Sequence, residues 1–576
     1  MRPRVAIAAA GAVAIVAALG ACSKNTGDDG TAQSDIKHQE GGIGTAADSK
    51  GPAPAVKGAK KGGTINLIQE KDFEHLDPAR IYVNNAQVFG RLFQRQLTTF
   101  VDDDQGNSKL VGDLATDPGK DVNGDCKVWQ YTLKDGLKYE DGSPIVAKDI
   151  AYGVARTFSP DLSEGPDYIQ QWLSDDLAFN TKYKGPYNGG SDMPPGVTVK
   201  GDKQITFTFK QPHCDMPFAS SWGTTTPVPK AQDKKAQYDN RPFSSGPYKF
   251  DSYLRGTKAV LSRNKYWDPN TDPLRHNYAD KFEVEIGPTG VDQTNRMIAD
   301  NGKDQYGIMQ ANVDGTLIKK VQSDASLKPR VLSGYTQFTW YLAINNLRIK
   351  DLNVRKALNY AMDKKAYIQA FGGSAKGEPA STIESPTTIG FKHYDAYPLD
   401  VAKAKKLLNG KHPKLVYAYA NTETGQKYAT VIKNSLEKAG FQIVLKAIDG
   451  ANYYTEIGKK DNSYDLYESG WGSDWPSALT IIPPLFDGGT IQPQGNYNSS
   501  YTDIDDVNKR IAEVSKEDAS KAAEAWMALD KELMTKYAPV VPLYYQKEYT
   551  LVGSKVGGCA LGVSSGWPEL TNVYAK

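Results

Sequence analysis

Past residue 62 the chain alternates between two spacings of apolar side chains. TINLI (64–68) and ITFTF (205–209) place apolar and polar residues on opposite sides of an extended backbone, the signature of strands. In NVRKALNYAMDKKAYIQAF (353–371), Val354, Ala357, Leu358 and Ala361 share one helical face. LDVAKAKKLLNG (399–410) reads as a helix with Asp400 as its cap and Gly410 as its stop. GQKYATVIKNSLEKAGFQIVLKAI (425–448) gives a helix, a stop at Gly440 and an alternating strand, which is an α/β unit. A long amphipathic region over 504–537 carries Trp526, Met527, Leu529 and Leu533 and runs into PVVPLYY (539–545). Helices and strands are therefore mixed, and nothing repeats at solenoid spacing.

One apolar run stands apart. Residues 5–18 are almost wholly apolar and follow Arg2 and Arg4. The run is short of the about 20 residues a membrane span needs and has the shape of an export signal. It ends at LGAC (19–22), which resembles the lipobox of bacterial lipoproteins, with Cys22 as the lipidated residue. Residues 1–21 are then a removed signal peptide, and the lipid holds the protein on the outer face of the bacterial cell membrane. Residues 22–61, rich in Gly, Ala, Asp, Lys and Ser without apolar periodicity, read as a flexible linker.

Length and charge narrow the class. About 510 residues beyond the linker exceed what one core serves, so two or three lobes are expected. Net charge is +2, from 69 basic and 67 acidic residues, and loss of Arg2 and Arg4 with the signal brings it to zero. A nucleic-acid partner would want a basic stripe, so none is expected. Cys126 and Cys214 flank two strand-like runs, CKVWQYTLK (126–134) and ITFTFKQPHC (205–214). If those strands pair antiparallel, a Cys126–Cys214 disulfide is easily reached and is permitted outside the cell. Cys559 is then left over, buried and free.

Ordered segments carry a resemblance. LDPAR (76–80), YTLKDGLKYEDGSPIVAKDIAYGVAR (131–156), SSGPYKFDSY (244–253), VLSRNKYWD (260–268), INNLRIKDLNVRKALNYAMDK (344–364), GWGSDWP (470–476) and VVPLYY (540–545) occur in that order. The chain resembles the solute-binding lipoproteins of ABC importers, the oligopeptide- and dipeptide-binding family, over essentially all of 62–576. The resemblance implies an α/β, two-lobed periplasmic-binding-protein fold with a hinge, mixed sheets and an extra inserted subdomain. It places a discontinuous base lobe at 62–100, 229–334 and 544–576, the inserted lobe at 101–228, and the second ligand-binding lobe at 335–543. It also implies a monomer that captures a peptide or similar solute between closing lobes and hands it to a permease driven by ATPase subunits.

The implied site centres on ESGWGSDWPSA (468–478). Gly470 and Gly472 would let backbone approach a ligand strand closely, and Asp474 would neutralise a ligand ammonium, which is costly to bury unpaired. Trp471 would lie beside the ligand. Tyr82, Val83 and Asn84 would form the facing backbone strand, and Tyr545 would line the cleft or pack the hinge. Outside the family pattern, Trp471 and Trp475 read as core anchors and Asp474 as a turn residue; the resemblance reverses this for Trp471 and Asp474 and leaves Trp475 in the core. Glu468 departs from the family, some of whose members carry a carboxylate-binding arginine there. It points to longer peptides, cationic ligands, or a non-peptide such as a sugar or metal chelate.

Enzyme readings fare poorly. GVSSG (562–566) fits a nucleophile elbow at Ser564, but no histidine follows it. The six histidines include no close pair at ligand spacing, so no metal or other cofactor is expected. A secreted hydrolase of oligosaccharides, with Asp474 between two tryptophans, is the remote alternative, because no second carboxylate pairs with it.

Overall fold

The computed structural model describes residues 41–576 apart from 104–106, 163, 451 and 518; the signal segment and Cys22 lie outside the described residues. Five sheets form among them, and the three largest organise the fold. The first is five-stranded, in the order Gly307–Met309, Thr64–Gln69, Lys281–Ile286, Lys258–Arg263, Tyr248–Leu254. Its first three strands run parallel and come from distant stretches of chain, while the last two close an antiparallel meander. Ile65, Leu67, Phe282 and Val284 alternate inward from it, which is why a period of two was visible in the sequence.

A six-stranded mixed sheet has the order Gly377–Pro379, Val540–Leu551, Val331–Ile344, Leu466–Gly472, Lys414–Ala420, Gln442–Ile448. The third sheet, four-stranded and antiparallel, pairs Val128–Thr132 with Gln204–Thr208. That pairing sets the Cys126 and Cys214 Cα atoms 4.9 Å apart, and the disulfide between them is formed. Cys559 is a free thiol, half-buried rather than fully buried.

The strands Val331–Ile344 and Val540–Leu551 link the first two sheets. At one end Leu551 and Tyr549 pack with Ile68 and Met309 of the five-stranded body. At the other, Leu342, Ile344 and Leu543 sit in the core of the six-stranded body. Their register breaks between Tyr335 and Thr339, where the pair passes from one body to the other. A ladder already interrupted there can bend at the cost of few hydrogen bonds.

Helices follow the expected faces but not always the expected lengths. Val354, Ala357, Leu358 and Ala361 are buried on the helix Leu352–Ala361. The pattern reads on to 371, yet the helix ends at Met362 and a second, Lys364–Gln369, begins with the Asp363 carboxylate accepting from Ala366 N at 2.9 Å. A good N-cap inside the apolar pattern starts a new helix. Asp400 caps Val401–Leu408 as read, and the left-handed Asn409 and Gly410 end it. The amphipathic stretch over 504–537 is two α-helices, Asp505–Val514 and Ala519–Glu532, the second running into a π-helical turn at Leu533–Tyr537.

The described part of the expected linker, residues 41–61, is not a free linker. Gly41–Ile43 pairs in parallel with Ser108–Gly112, Ser49 is fully buried with its hydroxyl accepting from Gly112 N at 2.8 Å, and Ala53 N donates to Asp272 O at 3.0 Å. Residues 41–61 are thus laid on the body by backbone and hydroxyl hydrogen bonds. Apolar periodicity cannot register such an attachment, because little apolar surface is involved.

Candidate functional site

Leu466–Gly472 is a strand, so the first half of the glycine-rich stretch is paired rather than a bare loop. Gly470 stands opposite Trp340 and Gly472 opposite Phe338. A Cβ on Gly470 would come within 2.7 Å of the Trp340 ring, and one on Gly472 within 2.9 Å of Phe338. The glycines are therefore sites where neighbouring rings lie over the strand. Approach of a ligand backbone, the role expected for them, is not what demands glycine here. After Gly472 the chain leaves the sheet, and Ser473 to Ser477 turn with Asp474 N donating to Thr480 Oγ1 at 3.1 Å.

That turn is pressed between elements from across the chain. The Trp222 indole donates to Asp474 O at 3.1 Å. The Asp474 carboxylate accepts on Oδ2 from the Tyr82 hydroxyl at 3.1 Å and from the Tyr168 hydroxyl. The Tyr82 and Trp222 rings meet at a 43° tilt with centroids 5.5 Å apart. No cation is among its partners in the described residues, and a second half-buried acid, Asp167, lies within electrostatic range. Burial pushes the Asp474 carboxyl up to about 6; the two hydroxyls pull it down and Asp167 pushes it further up. Burial likewise raises Asp167 and the Tyr82 hydroxyl, so the tyrosines stay neutral donors. Neutral donors soften the desolvation of a carboxylate without cancelling its charge.

The other candidates divide. Trp471 is half-buried, its indole donates to Thr480 O at 2.7 Å, and its ring meets the 66 % exposed Tyr497 edge-on at 5.1 Å. Trp475 is buried among Tyr168, Trp172 and Trp222, with its indole donating to Asp215 Oδ2 at 2.6 Å, a core anchor as read. Tyr82, Val83 and Asn84 form no strand. Val83 is the extended cap of the helix Asn84–Gly90, so Tyr82 meets Asp474 through its side chain and not its backbone. Asn84 accepts from the Gln337 amide at 3.0 Å. Tyr545 is fully buried, and its hydroxyl is occupied by Ser381 N at 3.1 Å and Thr382 Oγ1 at 2.6 Å. It packs the hinge strands and lines no open cleft.

A cavity of about 80 Å³ adjoins Asp474, lined by Asn84, Arg91, Trp222, Gln337, Ser473 and the Ser564–Ser565 pair, among others. Ligand sites hold about 300–1,000 Å³, so a solute of peptide size enters only if the walls part. Tyr168, Trp222, Asp167 and Gln337 were not anticipated. Each lies in an ordinary amphipathic or turn context, and no local spacing marks it; only the fold brings it to Asp474.

Residues 109–493, two thirds of the chain, match the family described as bacterial extracellular solute-binding proteins, family 5. The chain belongs to this family. Among curated solute-binding relatives, it is 23 % identical over 526 residues to the probable D,D-dipeptide-binding periplasmic protein DdpA of Escherichia coli (strain K12), covering 87 % of this chain and 92 % of that protein. It is 24 % identical over 495 residues to the periplasmic oligopeptide-binding protein OppA of Salmonella typhimurium, covering 81 % and 85 %. Among solved structures, the clavulanic acid biosynthesis oligopeptide binding protein 2 matches with a TM-score of 0.82 and 27 % identity over 93 % of this chain and 99 % of that one. The Escherichia coli murein tripeptide binding protein MppA matches with a TM-score of 0.68 and 20 % identity over 90 % and 99 %. This solute-binding protein thus has the two-lobed α/β fold of the family. Among its described residues no helix is long and apolar enough to cross a membrane.

Proposed function

We propose that this protein is the receptor of an ABC importer, closing on peptides or peptide-like solutes whose free ammonium pairs with Asp474. One observation carries the reading: a half-buried carboxylate sits where three distant stretches of chain meet, served by two neutral hydroxyls and, among the described residues, no cation. Burying an uncompensated charge is expensive, and a ligand ammonium removes that cost. The exposed Tyr82 and Tyr497 rings lie within electrostatic range of Asp474 and suit the same cation. The relatives' printed names, dipeptide-, oligopeptide- and tripeptide-binding, support a ligand of this class.

Closure moves the second lobe (335–543) against the base lobe (62–100, 229–334, 544–576) and the inserted lobe (101–228), bending at the paired strands described above. A ligand shifts that equilibrium by its differential affinity for the closed form. The loaded monomer docks on a permease whose ATPase subunits drive release, and it performs no covalent chemistry. Cys22 in LGAC supports lipid anchoring to the outer face of the cell membrane.

Isothermal titration with short peptides, free or acetylated at the amino end, tests the reading. Free peptides bind and acetylated ones bind at least about tenfold more weakly, and Asp474→Asn erases the difference. Equal binding of both kinds by the native protein sinks the ammonium role.

A further inference from the structure

Glu468 stands six residues before Asp474, on the face of Leu466–Gly472 that also carries Gly470 and Gly472. Its Oε2 accepts a 2.5 Å hydrogen bond from the Tyr367 hydroxyl, and no Lys, Arg or His pairs with it among the described residues. The same sheet face carries packed rings. Tyr367 lies 5.9 Å from Tyr544 and 5.1 Å from Tyr428, and Phe371 lies 5.0 Å from Tyr544. Trp340 is parallel to Tyr544 to within 4°. This assembly is not sealed: Glu468, Trp340, Phe371 and Tyr428 are each half-buried, and Tyr454 beside them is 60 % exposed.

We propose that Glu468 and the surrounding tyrosine rings form a cation subsite of the ligand cleft, taking the guanidinium or ammonium side chain of a basic ligand residue. The inference rests on the peptide reading above and deepens it by naming a side-chain preference.

A tyrosine hydroxyl donates one hydrogen bond and supplies no charge, so it offsets only part of the burial that raises the Glu468 carboxyl to about 7. A planar guanidinium matches what is present: a carboxylate for its N–H fork and ring faces on which it can stack. A ligand carboxylate at the same place meets a like charge. The spacing also fits one ligand, because six residues of chain span at most about 21 Å. An extended peptide of up to about six residues therefore reaches from Asp474 to Glu468.

The test uses alanine peptides of three to seven residues with arginine placed at each position in turn, each paired with its citrulline counterpart, which keeps the shape and removes the charge. The native protein binds arginine about tenfold more tightly than citrulline at one or more positions. Glu468→Gln brings the two within about twofold by weakening the arginine peptides, and Glu468→Leu does the same should glutamine refill the site with hydrogen bonds. Equal affinity for arginine and citrulline peptides at every position overturns the subsite and leaves the peptide reading standing. An arginine preference that survives both substitutions also overturns it. Failure of every peptide to bind overturns the peptide reading, and this one with it.

Discussion

At the scale of single residues, Asp474 is built at a cost to the fold. Its folded pKa of about 6 lies above the ordinary 3.8, so the fold disfavours its ionised form. The sign follows: Asp474 weakens the ligand-free protein above pH 6, and the penalty vanishes as pH falls toward 4. Two units correspond to at most about 3 kcal/mol. Asp474→Asn should therefore raise the thermal midpoint of the ligand-free protein at pH 7.5 while weakening capture of free-amine peptides; a lowered midpoint contradicts the account. Binding carries the opposite pH sense, since an ammonium pairs with the ionised form. Affinity should fall up to about tenfold per unit below pH 6, read by titration calorimetry between pH 7.5 and 5. Tyr82, Tyr168 and Tyr497 stay neutral throughout, whereas Asp167, also raised, steepens the fall.

At the scale of elements, the strand Leu466–Gly472 positions the turn that carries Asp474. Its pairing with Val331–Ile344 fixes where the chain exits the sheet, and hence where Asp474 stands. Gly470→Ala sets a methyl 2.7 Å from the Trp340 ring, which must shift off its stack with Tyr544. Overpacking of this kind costs about 1–3 kcal/mol, measurable as a reduced urea midpoint at unchanged slope. Ala at the exposed Gly489, whose ideal Cβ meets nothing nearer than 3.2 Å, is the control. The disulfide works in the other region. Cys126 and Cys214 are 88 residues apart, so replacing both by alanine should lower stability by about 2–5 kcal/mol through the unfolded chain.

At the scale of the whole molecule, Trp475 couples the turn to a body it does not belong to by sequence. It fills the core formed by Leu97 through Trp222, one turn after a strand of the six-stranded sheet. Trp475→Ala should cost about 3–5 kcal/mol and, by removing that anchor, raise the radius of gyration of the ligand-free protein in X-ray scattering. An unchanged radius would show that other contacts hold the bodies together.

Local periodicity and caps along the chain were enough to name the strands at 64–69 and 204–208, the helix face at 352–361, the capped helix at 401–408, and the partners of the disulfide. These features depend on side-chain alternation and caps within a few residues, which any single sequence displays. The position of the aspartate proposed to meet the ligand was also legible, because it sits in a short ordered motif. Its surroundings were not. Tyr168, Trp222 and Asp167 reach Asp474 only after some 250 to 300 intervening residues have folded, and no local pattern encodes that meeting. The same holds for Tyr82, read as backbone and found as a hydroxyl donor, and for Gly470, read as a ligand contact and found as space for a ring. Local chemistry is written residue by residue, whereas burial and charge compensation are properties of three-dimensional neighbours and belong to the tertiary structure alone.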